Sequence, residues 1–218
     1  NAEPSHNLTV NLPNVRDSQY LEHRRVCHIG KQLYDRTVAA VDGLPEVTHD
    51  PNCPCCAIAK STKKRRHRHA FRERADKPMQ RLHMDLMGKF KHQSLGGAKF
   101  ALVIVDDYSR YTEVYTLRKK NEAIQRFKEF IATHYPHGMF PKSVMTDWGT
   151  EFQGAFREFC VDKQILMEKS CPYSAWQNGL VERANRTLSG IARAMLLDSQ
   201  LGPQFWGLAL SHAAFMSN

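Results

Sequence analysis

The sequence predicts a layered α/β domain over residues 79–218, preceded by a small metal-dependent helical module at residues 17–58. Three observations predict it. His23, His28 and a tight cluster of Cys fall within the first 58 residues, a stretch too short to build a self-sufficient core. Three strand-like runs then follow one another after residue 80 as a meander. Helical and strand patterns alternate over the remainder, which is the signature of helices layered on a sheet.

The elements read in order as follows. Residues 1–16 contain Pro4, Pro13 and several Asn without periodicity and form an extended arm. Asp17 or Ser18 suits a helix cap, and the chain then passes Tyr20, Leu21 and His23 toward His28, and on through Leu33, Tyr34, Val38 and Val41. A basic linker occupies 59–78. A strand covers 81–90, and a hairpin runs from Lys99 to Val105, turns at Asp106–Arg110 and returns from Thr112 to Leu117. A helix over 121–134 places Ile124, Phe127 and Ile131 on one face. A strand at 142–146 precedes a helix with Phe152, Phe156 and Phe159, and Ile165-Leu166-Met167 is a short strand. A long helix over 176–198 carries the stripe Val181, Ala184, Leu188, Ile191 and Met195. Pro203 opens a final helix with Phe205, Trp206, Leu210 and Phe215.

Composition narrows the partners. The longest clean apolar run, Phe100–Val105, is a strand's length and far short of a bilayer span. No secretory signal is read ahead of the first module. Six cysteines, three of them in Cys53-Pro54-Cys55-Cys56, favour metal binding in a reducing compartment over a disulfide framework. The net charge of +9 and pI near 9.3 point to a polyanion. Residues 60–74 hold eight Lys or Arg against Glu73 alone, so this segment carries +7 of that charge. Lys60, Lys63, Lys64, Arg65, Arg66 and Arg68 are accordingly candidate phosphate contacts, and the run also suits a nuclear-import signal. A solvated linker is the plainer reading of the same residues.

His23, His28, Cys53 and Cys56 supply two imidazoles and two thiolates, a complete tetrahedral set for structural Zn²⁺. An offset of five residues sets the two His about 140° apart on an ideal helix, so a bend is expected between them. His49 and Cys55 are competing donors; the two-residue gap favours Cys53 with Cys56.

Three acids stand in settings that demand compensation. Asp85 interrupts the apolar run 82–87, Asp147 follows the strand 142–146 beside a Gly turn, and Glu182 rides the long helix. A carboxylate in or at the tip of a buried strand costs several kcal/mol unless compensated. Divalent cations shared by the three would supply that compensation and would suit phosphoryl transfer. Glu182 could instead form an exposed i,i+4 pair with Arg186, and Glu151 is a rival third acid. Gln177, Asn178, Arg183 and Arg186 flank Glu182 as candidate DNA contacts, with ordinary helix-surface polarity as the alternative.

The chain resembles the integrases of LTR retrotransposons of the copia (pseudovirus) type. The resemblance runs from about residue 20 to 218, through His23-Arg-Arg-Val-Cys-His28, Cys53-Pro-Cys-Cys56 with Ala59-Lys60, and His83-Met-Asp85-Leu-Met-Gly88. Ser94-Leu-Gly-Gly97, Asp106-Asp-Tyr-Ser-Arg-Tyr111, Asp147-Trp-Gly-Thr-Glu-Phe152, Gln177-Asn-Gly-Leu-Val-Glu-Arg183, Asn185-Arg186 and Phe205-Trp206 continue it. Trp148 stands where that family usually has Asn, and Ala175-Trp176 replaces its usual Pro-Gln. The spacing from Asp147 to Glu182 is about one residue short, and the extended C-terminal region of such integrases is not in this sequence.

The resemblance implies an HHCC zinc domain ahead of an RNase H-like core, a mixed five-stranded sheet with helices on both faces. In that fold the Asp85 strand is central, the Asp147 strand lies beside it, and Glu182 reaches across from a helix. Asp85, Asp147 and Glu182 are then the catalytic triad, binding two Mg²⁺ or Mn²⁺ to join element DNA 3′ ends to target DNA. Trimming of those ends is the less firmly implied step. The implied partners are double-stranded DNA and further copies of the chain, as a dimer or tetramer, with no membrane. The implied location is the nucleus of a host eukaryotic cell after a cytoplasmic particle stage. A related nuclease without joining activity, or a domesticated zinc-bearing DNA binder, are the competing functions.

Overall fold

A computed structural model describes residues 18–41, 53–60, 74–135, 138–147, 149–169 and 179–218. Helices α1 (Ser18–Arg25), α2 (Lys31–Ala40) and α3 (Pro54–Ala59) form the first module. Strands β1 (Arg81–Gly88), β2 (Phe100–Asp106) and β3 (Thr112–Leu117) follow, then α4 (Ala123–His134), β4 (Ser143–Thr146), α5 (Ala155–Asp162) and β5 (Leu166–Lys169). Helices α6 (Gly179–Ser199) and α7 (Trp206–Ser217) complete the order.

The five strands form one mixed sheet in the order β3-β2-β1-β4-β5. β1 pairs antiparallel with β2 and parallel with β4, so it is central and its backbone is satisfied on both edges. The alternation along β1 and β2 divides the core into two layers. Leu82, Met84, Leu102 and Ile104 point to one face and pack against Phe127, Phe130, Phe156 and Cys160 of α4 and α5. Ala101, Val103 and Val105 point to the other, against Val181, Leu188 and Ile191 of α6 and Trp206 and Leu210 of α7. Helices therefore cover both faces, as the resemblance implied. Phe127 is wholly buried, and Phe127→Ala is expected to lower the stability of the core by about 3–5 kcal/mol, read from a denaturant midpoint.

Two local readings change. Phe152 lies in a 3₁₀ turn over Thr150–Phe152, and Gly154, at φ 52°, separates it from α5. The Phe152 and Phe156 rings still meet at 5.3 Å, which is why their spacing looked like one helix. Phe215 is 74% exposed although it sits in the apolar pattern of the last helix. Among the described residues no helix is long and apolar enough to cross a membrane.

The hairpin turn is braced from within. Asp106 accepts hydrogen bonds from Met79 N–H and from the Ser109 N–H and hydroxyl. Burial works against the charge of Asp107, yet His83, the Ala75 N–H and Arg110 hold its carboxyl well below the usual range.

Candidate active site and metal centre

Asp85 sits in the middle of β1, opposite Val103, and so points to the face covered by α6. Its Oδ1 accepts the Leu86 N–H at 2.9 Å and its Oδ2 accepts the Asn185 amide of α6 at 2.6 Å. Asp147 follows β4 directly. The register pairs Met84 with Thr146 in parallel strands, which brings the next residues, Asp85 and Asp147, to the same end of adjacent strands. Parallel strands end there with their ligand-binding edge. Glu182 lies in the first turn of α6, one turn before Asn185, where the helix dipole favours an anion.

The electrostatics report their proximity. The Asp85 carboxyl is pushed up to about 6, first by burial, then by the negative charge of Asp147 and, less strongly, of Glu182. The hydrogen bonds from Leu86 and Asn185 oppose that rise without cancelling it. A half-buried acid within the field of two further acids is a locus that favours cations, but among the described residues the three acids do not close into a compact ligand set. Glu151, the rival third acid, is almost covered and pairs with Lys120 at 3.4 Å.

Asn185 is the site residue that the sequence reading left without a role. Helix spacing pairs Glu182 with Arg186, and only the contact with β1 shows what the intervening Asn185 touches. Asn185→Leu removes the donor to Asp85, so the carboxyl should rise further. A hydrogen bond to a charged group is worth about 1.5–3 kcal/mol, so activity should fall roughly 10–100-fold. The acidic limb of its pH–rate profile should move to higher pH, which checks the mechanism of the loss.

A second ligand set lies in the first module. His23, His28, Cys53 and Cys56 present ligand atoms that all lie within 4.8 Å of one another. Local structure explains the convergence. α1 stops at Arg25, and Cys27 and His28 take positive φ of 54° and 56°, folding the chain back so that His28 N–H donates to His23 O. This is the expected bend. Cys53 caps α3, Pro54 occupies the first helical turn, and Cys56 follows one turn on. His23 Nε2 lies 3.2 Å from Cys56 Sγ, and His28 Nδ1 lies 3.4 and 3.7 Å from Cys53 and Cys56 Sγ. Zn–N and Zn–S bonds at a tetrahedral angle put N and S about 3.5 Å apart, so the cluster fits zinc. The Cys56 thiol donates to Cys53, which holds the Cys53 thiol well below its usual value and lifts that of Cys56. Cys55 is fully buried and outside the ligand set; His49 lies outside the described residues.

The candidate DNA contacts separate. Arg183 and Arg186 are exposed on α6. Lys60 donates to the His28 carbonyl inside the first module. Gln177, Asn178, Lys63, Lys64, Arg65, Arg66 and Arg68 lie outside the described residues.

Residues 75–175 match the integrase core domain family. Over those residues the chain resembles an integrase core. It is 30% identical over 204 residues to the Retrovirus-related Pol polyprotein from transposon TNT 1-94 of Nicotiana tabacum, covering 91% of this chain and 15% of that protein. The integrase core is therefore matched within a far longer relative. Solved structures agree on the fold. The HTLV-2 integrase catalytic core domain in complex with magnesium, in its trimeric form, matches with a TM-score of 0.50 and 24% identity, over 65% of this chain and 86% of that one. A simian T-cell lymphotropic virus intasome in complex with PP2A regulatory subunit B56 gamma matches with a TM-score of 0.55 and 22% identity, over 91% and 67%. The integrase fold and the retrotransposon likeness read from the sequence both stand.

Proposed function

We propose that this integrase joins the 3′ ends of element DNA to target DNA by metal-dependent polynucleotidyl transfer. The observation that carries the reading is Asp85, set in the central strand with Asp147 and Glu182 close enough to raise its pKa. Mg²⁺ or Mn²⁺ held by these three acids would neutralise the attacking and leaving oxygens of an in-line phosphoryl transfer. Asp85 within β1 and Asp147 directly after β4 fix one side of the site. Glu182 closes it from α6, and Asn185 holds the Asp85 carboxylate in one orientation. The site needs no Ser or Cys nucleophile, because the attacking group is a DNA 3′-OH, or water when an end is trimmed. The magnesium in the HTLV-2 core supports the same metal here, and the trimeric form of that core and the simian intasome support action as an assembly. Two DNA ends must be held together, which calls for a dimer or tetramer. Zinc in the first module, action in the nucleus after a cytoplasmic particle stage, and DNA contacts by Arg183, Arg186, Gln177, Asn178 and the basic run complete the reading.

The test offers a pre-cut labelled element end and a target plasmid in Mg²⁺ and then in Mn²⁺. Joined products support the proposal; nicking alone would make this a nuclease, and inert DNA binding would make it an architectural protein. The basic run gives a second check. Replacing Lys63, Lys64, Arg65 and Arg66 together by Gln should flatten the slope of log K against log salt by up to about 3–4, from roughly 0.9 per lost phosphate contact.

A further inference from the structure

The last turn of α6 carries a carboxylate that faces the ligand cluster of the other module. Asp198 accepts Arg24 Nε at 2.6 Å and lies 3.6 Å from His28 Nε2. The other nitrogen of that ring, Nδ1, is the one turned to Cys53 and Cys56. His28 thus stands between the thiols and the catalytic helix. Its side chain is 1% exposed and that of Asp198 is 9% exposed, and His28 Nε2 makes no hydrogen bond among the described residues. Neighbouring contacts hold this arrangement as a seam. Arg193 of α6 donates to the Ala59 carbonyl at the end of α3 at 3.1 Å, and Leu197 packs on Cys53 and Cys55. Ile29 and Tyr34 join the same apolar cluster as Leu188 and Ile191.

We propose that Asp198 is a positioning residue of the zinc centre, supplied by the catalytic domain to a ligand that belongs to the N-terminal module. The proposal rests on the reading of the cluster as a zinc site. A His that binds metal through Nδ1 keeps its proton on Nε2, the atom that faces Asp198. A carboxylate at that atom fixes the tautomer and the ring and strengthens the metal-side nitrogen as a donor; its loss commonly costs 10–100-fold in metal affinity. The coupling is reciprocal: if Asp198 tightens zinc binding, zinc tightens the hold of the module on α6 by the same factor. Metal occupancy in one module is thereby transmitted to the helix that carries Glu182.

The experiment titrates zinc into the 218-residue chain against a chromophoric chelator and follows hydrogen exchange of α6 with and without zinc. Asp198→Ala should weaken zinc binding by about 10–100-fold, and zinc should no longer slow exchange over residues 190–198. Asp198→Asn should recover part of the affinity, since its amide oxygen can still accept from Nε2–H. Arg24→Ala should change affinity by less than about threefold, because it leaves the carboxylate in place. Wild-type affinity in Asp198→Ala would overturn the proposal, as would an equal loss in Arg24→Ala, which would reduce Asp198 to an ordinary ion pair. If Asp198→Ala fails to fold, the contrast between Asp198→Asn and Arg24→Ala decides. A wild-type chain that takes up no zinc would overturn the zinc reading itself, and this proposal with it.

Discussion

Asp85→Asn is expected to reduce the joining of pre-cut DNA ends by at least about 10²–10³-fold, by analogy with removal of a key electrostatic stabiliser, while the chain stays folded. The replacement is nearly isosteric, so β1 keeps both of its neighbours and the core layers keep their packing. What disappears is the negative charge that divalent cations would share with Asp147 and Glu182. Stability should move the opposite way. In the folded chain the Asp85 carboxyl is raised to about 6 from an ordinary value of 3.8. An acid raised in this way binds protons more readily in the native state, so its ionisation destabilises the fold. That penalty is absent below about pH 4, grows as pH rises to 6, and is fully present above it. Without added magnesium, Asp85→Asn should therefore be more stable than the wild type at pH 7.5. Two pKa units correspond to nearly 3 kcal/mol. The rearranged hydrogen bonds at Leu86 and Asn185 reduce the expected gain to about 1–2 kcal/mol. Denaturation at pH 7.5 and pH 4 checks the sign, since the advantage of the variant should be lost at the lower pH. Magnesium should stabilise the wild type and leave the variant nearly unchanged.

Cys56→Ser should release zinc and unfold the first module while leaving the five-stranded core intact. Cys56 Sγ faces both His23 and His28, so its loss opens the ligand set at its centre. Structural zinc contributes about 10–16 kcal/mol of apparent binding energy to peptides of this size, and a module of three short helices has little else to replace it. Metal analysis should give about one zinc per wild-type chain and almost none for Cys56→Ser. Far-ultraviolet circular dichroism should show the loss of helix, and urea unfolding should retain the core transition. Cys55→Ser should keep its zinc, because the Cys55 side chain is buried against Leu197 outside the ligand set. Zinc retained by Cys56→Ser and lost by Cys55→Ser would reverse the two roles.

Much of this arrangement is legible in the sequence because its signals are local. The hairpin, the alternating helices and strands and the spacing within the His pair and within the Cys pair depend on near neighbours in the chain. Asp85 could be singled out because a charge amid Leu82, Met84 and Leu86 violates the apolar pattern. Asn185 carried no comparable signal: a polar residue on a half-exposed helix is ordinary until the strand beneath it is known. Asp198 was less visible still, since its contacts with Arg24 and His28 span 174 and 170 positions of the chain. The break at Gly154 was hidden for the reverse reason, because a 3₁₀ turn followed by an α-helix preserves the Phe152–Phe156 spacing that periodicity reads as one helix.

Helix α6 also has a mechanical consequence. Glu182 and Asp198 are sixteen residues apart on it, which at 1.5 Å per residue is about 24 Å. With the far end as fulcrum, a swing of only about 5° would carry the glutamate roughly 2 Å, comparable to a metal–oxygen bond. A rod seated on the sheet along its length and tied to the first module at its far end passes small angular play to the catalytic gap, so mutations remote from any DNA could detune it without touching a single acid.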